Sequence, residues 1–162
     1  MSMERARGWL ERFGYADMIQ EFAESSATVE LAAQRLGVEP ARIAKTLSFK
    51  IDEHAILIVA AGDVKIDNTK YKAMFHTKAK MLSFEEVEPM TGHMVGGVCP
   101  FGVKEGVTVY LDESLKRFAT VFPAVGTAAS AIELTISELE QLSSFKQWVD
   151  VCKPSLIHDS SV

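Results

Sequence analysis

The 162-residue sequence is poor in cysteine and proline and has no long apolar run. Its two cysteines, Cys99 and Cys152, allow one disulfide at most, which suits a reducing compartment, so we expect a cytoplasmic protein. The longest apolar run, residues 55–61, is far too short to cross a bilayer, so we expect no membrane association. The first residues carry charges without an unbroken apolar stretch and are not expected to be a secretory signal.

The motifs of several enzyme classes are also missing. No Gly-Lys-Ser/Thr of a phosphate loop, no strand–GxGxxG–helix order and no Gly-x-Ser-x-Gly elbow occurs. Cys99 lies six residues from His93, but a small buried cysteine explains it better than a nucleophile does. The histidines lack ligand spacing, so we expect neither a metal nor a cofactor; they are His54, His76, His93 and His158.

The length and the net charge limit the number of domains and the kind of nucleic-acid binding that we expect. The chain favours one domain, which we place at residues 1–153, followed by a flexible polar tail at 154–162. The net charge of −5 argues against a protein that coats nucleic acid indiscriminately, yet it leaves room for a local basic patch.

Hydrophobic periodicity and capping residues predict an α+β domain with a mixed sheet. The expected helices are an opening helix closed by Gly14, a turn at 17–22, a helix capped by Thr28 and stopped by Gly37, a helix at 41–45, one from Asp67 or Asn68 to Phe75, one opened by a Ser83–Glu86 capping box, and one opened by Ser137 and Glu140 that runs to Val149. The expected strands cover 47–51, 55–61, 79–82, 107–111, 120–125 and 131–134.

Three segments are candidates for chemistry. The glycine-rich stretch at 91–102 is either a pocket whose backbone N–H groups meet a ligand oxygen or simply a long connection. Lys45 lies at the predicted junction of a helix and a strand. Its ammonium either hydrogen-bonds a carbonyl, a phosphate or a carboxylate of a ligand, or is solvated and stabilises the C-terminus of the helix. Residues 65–80 hold five lysines against one acid, which is either a phosphate-binding patch or a solvated helix face.

Taken together, these segments resemble the YbaK/prolyl-tRNA-synthetase-associated editing domain. The resemblance spans about residues 20–150. It is carried by the Thr28 segment ending Leu36-Gly37-Val38, by Ile43-Ala44-Lys45-Thr46-Leu47, by Gly62-Asp63-x-x-x-Asp67-x-x-Lys70, by Thr91-Gly92-x-x-x-Gly96-Gly97-Val98-x-Pro100-Phe101-Gly102, and more weakly by Val125-Gly126 through Ile132-Glu133-Leu134.

The resemblance implies a curved, barrel-like mixed sheet flanked by helices. It also implies hydrolysis of the ester between a wrong amino acid and tRNA, most often tRNA for proline, with Lys45 as the family's essential lysine. The residues expected to bind the substrate are Thr46, Gly92, His93, Gly96, Gly97, Pro100, Phe101, Gly126 and Ser130. Those expected to meet tRNA are Lys65, Lys70, Lys72, Lys78 and Lys80. Prolyl-tRNA synthetase is a candidate partner.

One stretch departs from the family pattern. Members that remove cysteine have a basic turn and an acidic residue before the last core strand, whereas residues 127–131 here are small and mostly apolar. Cysteine, alanine, serine and threonine therefore stay open as the amino acid removed. The alternatives to a deacylase are a non-catalytic module that binds aminoacyl-tRNA or a synthetase, and a small-molecule hydrolase that has kept the pocket.

Overall fold

The computed structural model describes residues 2–24 and 28–155. Five α-helices lie in this part of the chain: α1 (Ser2–Glu11), α2 (Val29–Leu36), α3 (Asn68–Phe75), α4 (Phe84–Thr91) and α5 (Ile136–Ser143). The strands are β1 (Gln20–Glu21), β2 (Ile43–Ile51), β3 (His54–Ala61), β4 (Val64–Ile66), β5 (Thr108–Asp112), β6 (Thr120–Pro123), β7 (Ser130–Ala131), β8 (Leu134–Thr135), β9 (Gln147–Val149) and β10 (Cys152–Pro154). None of the described helices is long and apolar enough to cross a membrane.

A six-stranded mixed sheet, in the order β8-β6-β2-β3-β5-β9, curls into a half-barrel flanked by the helices. The central strands β2 and β3 form an antiparallel hairpin whose turn places Asp52 and Glu53 at positive φ. The β2–β6, β3–β5 and β5–β9 pairs are parallel, and β6–β8 is antiparallel. Because β3 is covered on both faces, residues 55–61 are apolar without alternation. The expected α+β fold with a curved sheet is confirmed.

Several predicted helix ends are confirmed by their hydrogen bonds. Thr28 Oγ1 accepts from the Leu31 N–H at 3.1 Å, and Gly37 closes α2 in the left-handed region. The capping box of Ser83 and Glu86 opens α4. In α1, Ala6 and Leu10 are fully buried in the main core.

Two helices predicted before β2 are wrong. Residues 17–22 contribute to a 3-10 turn, Ala16–Met18, and then to strand β1. The expected helix at 41–45 is replaced by a 3-10 turn at Pro40–Arg42, and β2 begins at Ile43. Ala44 is paired on both sides, with Ala61 of β3 and Pro123 of β6, so sheet pairing prevails over local helix signals. Lys45 consequently lies within a strand.

The C-terminal third differs from the sequence prediction in its capping. The helix α5 is opened by Thr135 and Glu138, not by Ser137 and Glu140, because β8 delivers the chain to the helix at Thr135. The helix ends at Ser143, and β9 then pairs with β5 where a helix was expected.

The smaller strands also differ from the prediction. Residues 79–82 form a single bridge between Met81 and Phe49, and the expected strand 131–134 is divided between β7 and β8. The unpredicted strands β4 and β10 pair with each other. Pro154, which we placed at the start of the tail, therefore lies in β10, and residues 156–162 are outside the described residues.

Candidate active site

A cavity of about 440 Å³ opens between β2, α2, the start of α4 and the glycine-rich loop at residues 92–102, called the glycine loop below. Its walls are mostly apolar. Among the described residues that line it, Lys45 is the only one with a charged side chain, and none is histidine, cysteine, aspartate or glutamate. Four residues predicted for the site line this cavity: Lys45, Thr46, Gly96 and Ser130.

Lys45 is held at the wall of the cavity by its strand and by one carbonyl group. It is paired with Ala60 across the hairpin, and its Nζ donates a hydrogen bond to the carbonyl oxygen of Val64. Burial lowers the pKa of this amine, and the neighbouring carboxylates of Asp63 and Glu30 act in the opposite direction. An ammonium carries three donors, so the bond to Val64 leaves two protons for another acceptor.

The tip of the glycine loop packs directly on the turn after β6. Gly96 is exposed at the cavity with φ of +89°, a backbone conformation that favours glycine. Gly97 is buried, and a Cβ there would lie 2.2 Å from the carbonyl oxygen of Gly126. The two segments can approach this closely only because residue 97 has no side chain.

Four other residues of the glycine loop were predicted for the site but do not line the cavity. They are Gly92, His93, Pro100 and Phe101, all buried. His93 Nε2 is 2.7 Å from the carbonyl oxygen of Phe101, and its Nδ1 is 3.0 Å from Ser2 Oγ. The Met94 N–H donates to the same hydroxyl at 3.2 Å. This network ties both ends of the loop tip to α1. A role of these four residues in substrate binding stays a prediction.

Ser130 faces the cavity, but its hydroxyl is engaged by the chain around it. Its Oγ accepts from the Val125 N–H at 3.0 Å and lies 3.1 Å from the carbonyl oxygens of Val125 and Thr127. Gly126, at φ of +78°, packs against α1, where a Cβ would lie 2.5 Å from the carbonyl oxygen of Ser2. Both residues therefore shape the turn on which Gly97 rests.

Comparison with known families matches residues 23–142 to the model of the aminoacyl-tRNA editing domain, a match that covers most of the chain. The chain belongs to this family. The matched range contains β2 with Lys45 and the whole glycine loop, so the resemblance drawn from the sequence is confirmed. It leaves out α1, which holds that loop from behind.

The relatives of this editing domain include two proteins that match over most of their length and one larger enzyme that matches over a small part. The uncharacterized protein YwhH of Bacillus subtilis is 54% identical over 94% of this chain and 98% of its own length. The Enterococcus faecalis protein named "Putative Cys-tRNA(Pro)/Cys-tRNA(Cys) deacylase EbsC" is 30% identical over 76% of this chain and 78% of its own. The proline–tRNA ligase of Bacillus cytotoxicus is 30% identical over 54% of this chain, which is 16% of the ligase.

A solved structure also shares the fold of this editing domain. A crystal structure described as "a putative trans-editing enzyme for prolyl tRNA synthetase" superposes with a TM-score of 0.84 and 31% identity, over 94% of this chain and 97% of the other.

The cysteines of this editing domain are not arranged as nucleophiles. Cys99 Sγ does lie 3.6 Å from His93 Nε2, but it is fully buried, and burial raises its pKa to about 12. Burial also raises the pKa of Cys152. Among the described residues, no group of three or more histidine, cysteine or acidic side chains is placed to hold a metal.

The five lysines predicted to meet tRNA are all exposed: Lys65, Lys70, Lys72, Lys78 and Lys80. Lys70 is committed to an ion pair with Asp150 at 3.1 Å, which raises its pKa, and to the carbonyl oxygen of Cys152. Lys72 and Lys78 line a second cavity of about 690 Å³ beside α3. These two lysines thus present their charge to a concave surface, while Lys70 is partly neutralised.

Sequence reasoning missed the apolar mouth of the first cavity. Met81, Phe84 and Val95 line it and are 58%, 76% and 47% exposed. No single position signals this arrangement in the sequence, because residues from the β2 edge, the start of α4 and the glycine loop meet only in the folded chain. A large apolar residue directly after the capping Ser83 was the only available hint.

Proposed function

We propose that this editing domain hydrolyses the ester of a tRNA that carries a wrong small amino acid, acting in trans. One observation carries the proposal: Lys45 and the tip of the glycine loop line the same apolar cavity. The membership of the family and the names of the relatives support the reaction class. Following those names, we propose tRNA for proline carrying cysteine as the first substrate to test. Alanine, which the sequence leaves open, is the second.

The chemistry of an ester explains the need for a fixed cation. When water adds to the ester carbon, negative charge develops on the carbonyl oxygen, and preorganised donors stabilise it. Lys45 has two N–H donors beyond the one given to Val64, and they are available to that oxygen. Collapse of the intermediate breaks the bond to the ribose oxygen, which takes a proton, so the products are the free amino acid and intact tRNA.

The activation of water is proposed to come from the substrate. The described lining of the cavity contains no histidine or carboxylate side chain that could act as a general base. The ribose hydroxyl beside the ester, or a polar group of the amino acid, is close to the reacting carbon by covalent connection. The protein then contributes position and charge stabilisation.

The walls of the cavity favour small, weakly polar amino acids. Ala44, Ala128 and Ala131 form part of it, and the hydroxyl of Ser130 is occupied by its own turn. An apolar pocket distinguishes amino acids that differ by one methylene by only about 1–3 kcal/mol, so we expect exclusion of larger residues to decide specificity.

The decisive experiment is a panel of mischarged tRNAs incubated with the protein and with Lys45→Ala. We expect hydrolysis of at least one small aminoacyl ester and a fall in kcat of about 10²–10³-fold in the variant, the usual effect of losing one oxyanion donor. Lys146→Ala, which removes an exposed lysine outside the cavity, is the matched control. Full activity of Lys45→Ala would refute the role of the lysine.

A tRNA substrate also predicts a role for the lysines beside α3. Lys72→Glu with Lys78→Glu should raise KM and weaken its dependence on salt, because phosphate contacts release counterions. Lys146→Glu controls for the added charge. An unchanged KM would favour a small-molecule hydrolase.

A binding module is the second candidate, favoured by the same absence of a protein base from the described cavity wall. Salt-sensitive tRNA binding without hydrolysis of any ester in the panel would identify it.

A further inference from the structure

Three apolar side chains surround the mouth of the cavity in an unusually exposed state. Phe84, at the first position of α4, Met81 on the segment before it, and Val95 on the glycine loop all line the cavity and remain open to solvent. Single exposed apolar residues are normal on a protein surface, whereas a group of them at one opening marks a binding surface.

Phe84 is held on a rigid support. The preceding Ser83 forms the capping box with Glu86, whose Oε1 accepts from the Ser83 N–H at 2.9 Å. The other oxygen of Glu86 binds Lys50 Nζ on β2 at 2.6 Å. The helix start is therefore tied both to itself and to the sheet, so the aromatic ring is presented from a fixed backbone.

The lysine-rich stretch at residues 65–80 ends directly before Met81 in the chain. Lys78 and Lys80 are exposed and precede Met81 in the chain, and neither forms an ion pair with a described residue. The carbonyl oxygen of Lys80 accepts from the Lys50 N–H at 2.9 Å, which fixes the segment along β2. Exposed cations near apolar side chains suit the phosphate and the base of a nucleotide, respectively.

We propose that Phe84, Met81 and Val95 form a binding site for the nucleobase of the 3′-terminal nucleoside of tRNA. This inference rests on the proposed function. With the ester carbonyl at Lys45, the attached ribose leaves through the mouth, and its base meets the apolar surface there. Aromatic side chains stack on any base, and a base held in this way fixes the ribose, and with it the ester, relative to the ammonium.

The first test compares substitutions of Phe84 by their KM and kcat on a mischarged tRNA. Phe84→Ala and Phe84→Leu should raise KM by about 10-fold or more, because neither offers a stacking face, while Phe84→Trp should restore the wild-type value. Met18→Ala removes an exposed apolar side chain that does not line the cavity and should leave KM unchanged. Thermal unfolding of each variant confirms that it is folded.

The second test does not require hydrolysis. In the protein with ¹³C-labelled methionine methyl groups, adenosine should shift the Met81 resonance through the ring current of the base and leave Met18 in place. Ribose 5-phosphate, which lacks the base, should shift neither. The same titration on Phe84→Ala should show a weakened response of Met81.

The outcomes separate this inference from the proposed function. If the wild type hydrolyses the ester and Phe84→Ala has an unaltered KM, the nucleobase site is overturned while the deacylase stands. A Met81 signal that adenosine does not affect has the same consequence. If no ester is cleaved, the proposed function fails, and the adenosine titration still decides the site. Equal losses in Phe84→Ala and Phe84→Trp without an adenosine shift would also overturn the site.

Discussion

Ser2 Oγ lies 3.0 Å from His93 Nδ1, although the two residues are 91 positions apart in the chain. The hydroxyl accepts from the Met94 N–H, and Ser2 is 2% exposed. On the far side of the ring, Nε2 bonds the carbonyl oxygen of Phe101. A neutral His93 with its proton on Nε2 satisfies all three contacts. The first helix thereby fixes the glycine loop, a role that its sequence did not reveal.

Ser2→Ala tests this anchor. The substitution leaves His93 Nδ1 without its partner in a buried place and removes the acceptor of the partly buried Met94 N–H. We therefore expect a loss of about 1–3 kcal/mol in the free energy of unfolding. Urea denaturation measures it. Ser137→Ala, at an exposed position of α5, serves as the control and should change stability by less than about 0.5 kcal/mol. Equal stability of the two variants would refute the anchor.

His93 should make stability depend on pH. Burial lowers the pKa of His93 in the folded state. In the unfolded chain a histidine has a pKa of about 6.5, so the unfolded chain takes up the proton first as the pH falls. The contribution of neutral His93 is therefore complete above about pH 6.5 and is lost as the pH decreases through the lower folded pKa. Urea unfolding between pH 8 and 5 should show a steeper decline for wild type than for His93→Gln. The exposed His54→Gln should follow wild type.

Gly97→Ala should disturb the loop tip without touching Lys45. The new methyl group would overlap the carbonyl oxygen of Gly126, which is backbone and cannot move aside cheaply. We expect a loss of about 1–3 kcal/mol in stability, together with reduced deacylation. Gly8→Ala is the matched control, since a Cβ on that helical residue meets nothing within 4 Å. It should be neutral or stabilising, because alanine favours a helix.

The sequence spacing allows two capping boxes at the start of α5, Thr135 with Glu138 and Ser137 with Glu140, and the structure has the first. Thr135→Ala removes the hydroxyl that accepts from the Glu138 N–H and should cost about 1 kcal/mol. Ser137→Ala removes a hydroxyl that caps nothing in the structure and should cost little. Chemical denaturation of both variants decides the matter, and a larger loss in Ser137→Ala would contradict the observed helix start.

Local signals determined much of the fold. The caps at Thr28 and Ser83 satisfy N–H groups within the next few residues, and the alternation along β2 reflects one strand's own pleat. The apolar run of β3 indicates burial on both faces. The likeness to editing domains could also be read from Lys45 and the glycine loop, because a family preserves residue order along the chain.

Contacts between distant segments decided the rest. Pairing of β2 with both β3 and β6 made a strand of the residues around Lys45, and pairing with β5 made a strand of Gln147–Val149. Three further relationships depend on packing between residues far apart in the chain. They are the contact of Ser2 with His93, the fit of Gly97 against Gly126, and the position of Phe84 and Val95 at one cavity. Residue types and their order along the chain indicated candidates for an editing site. The folded structure shows which of them line the cavity and which support it, because long-range packing has no signature in local spacing.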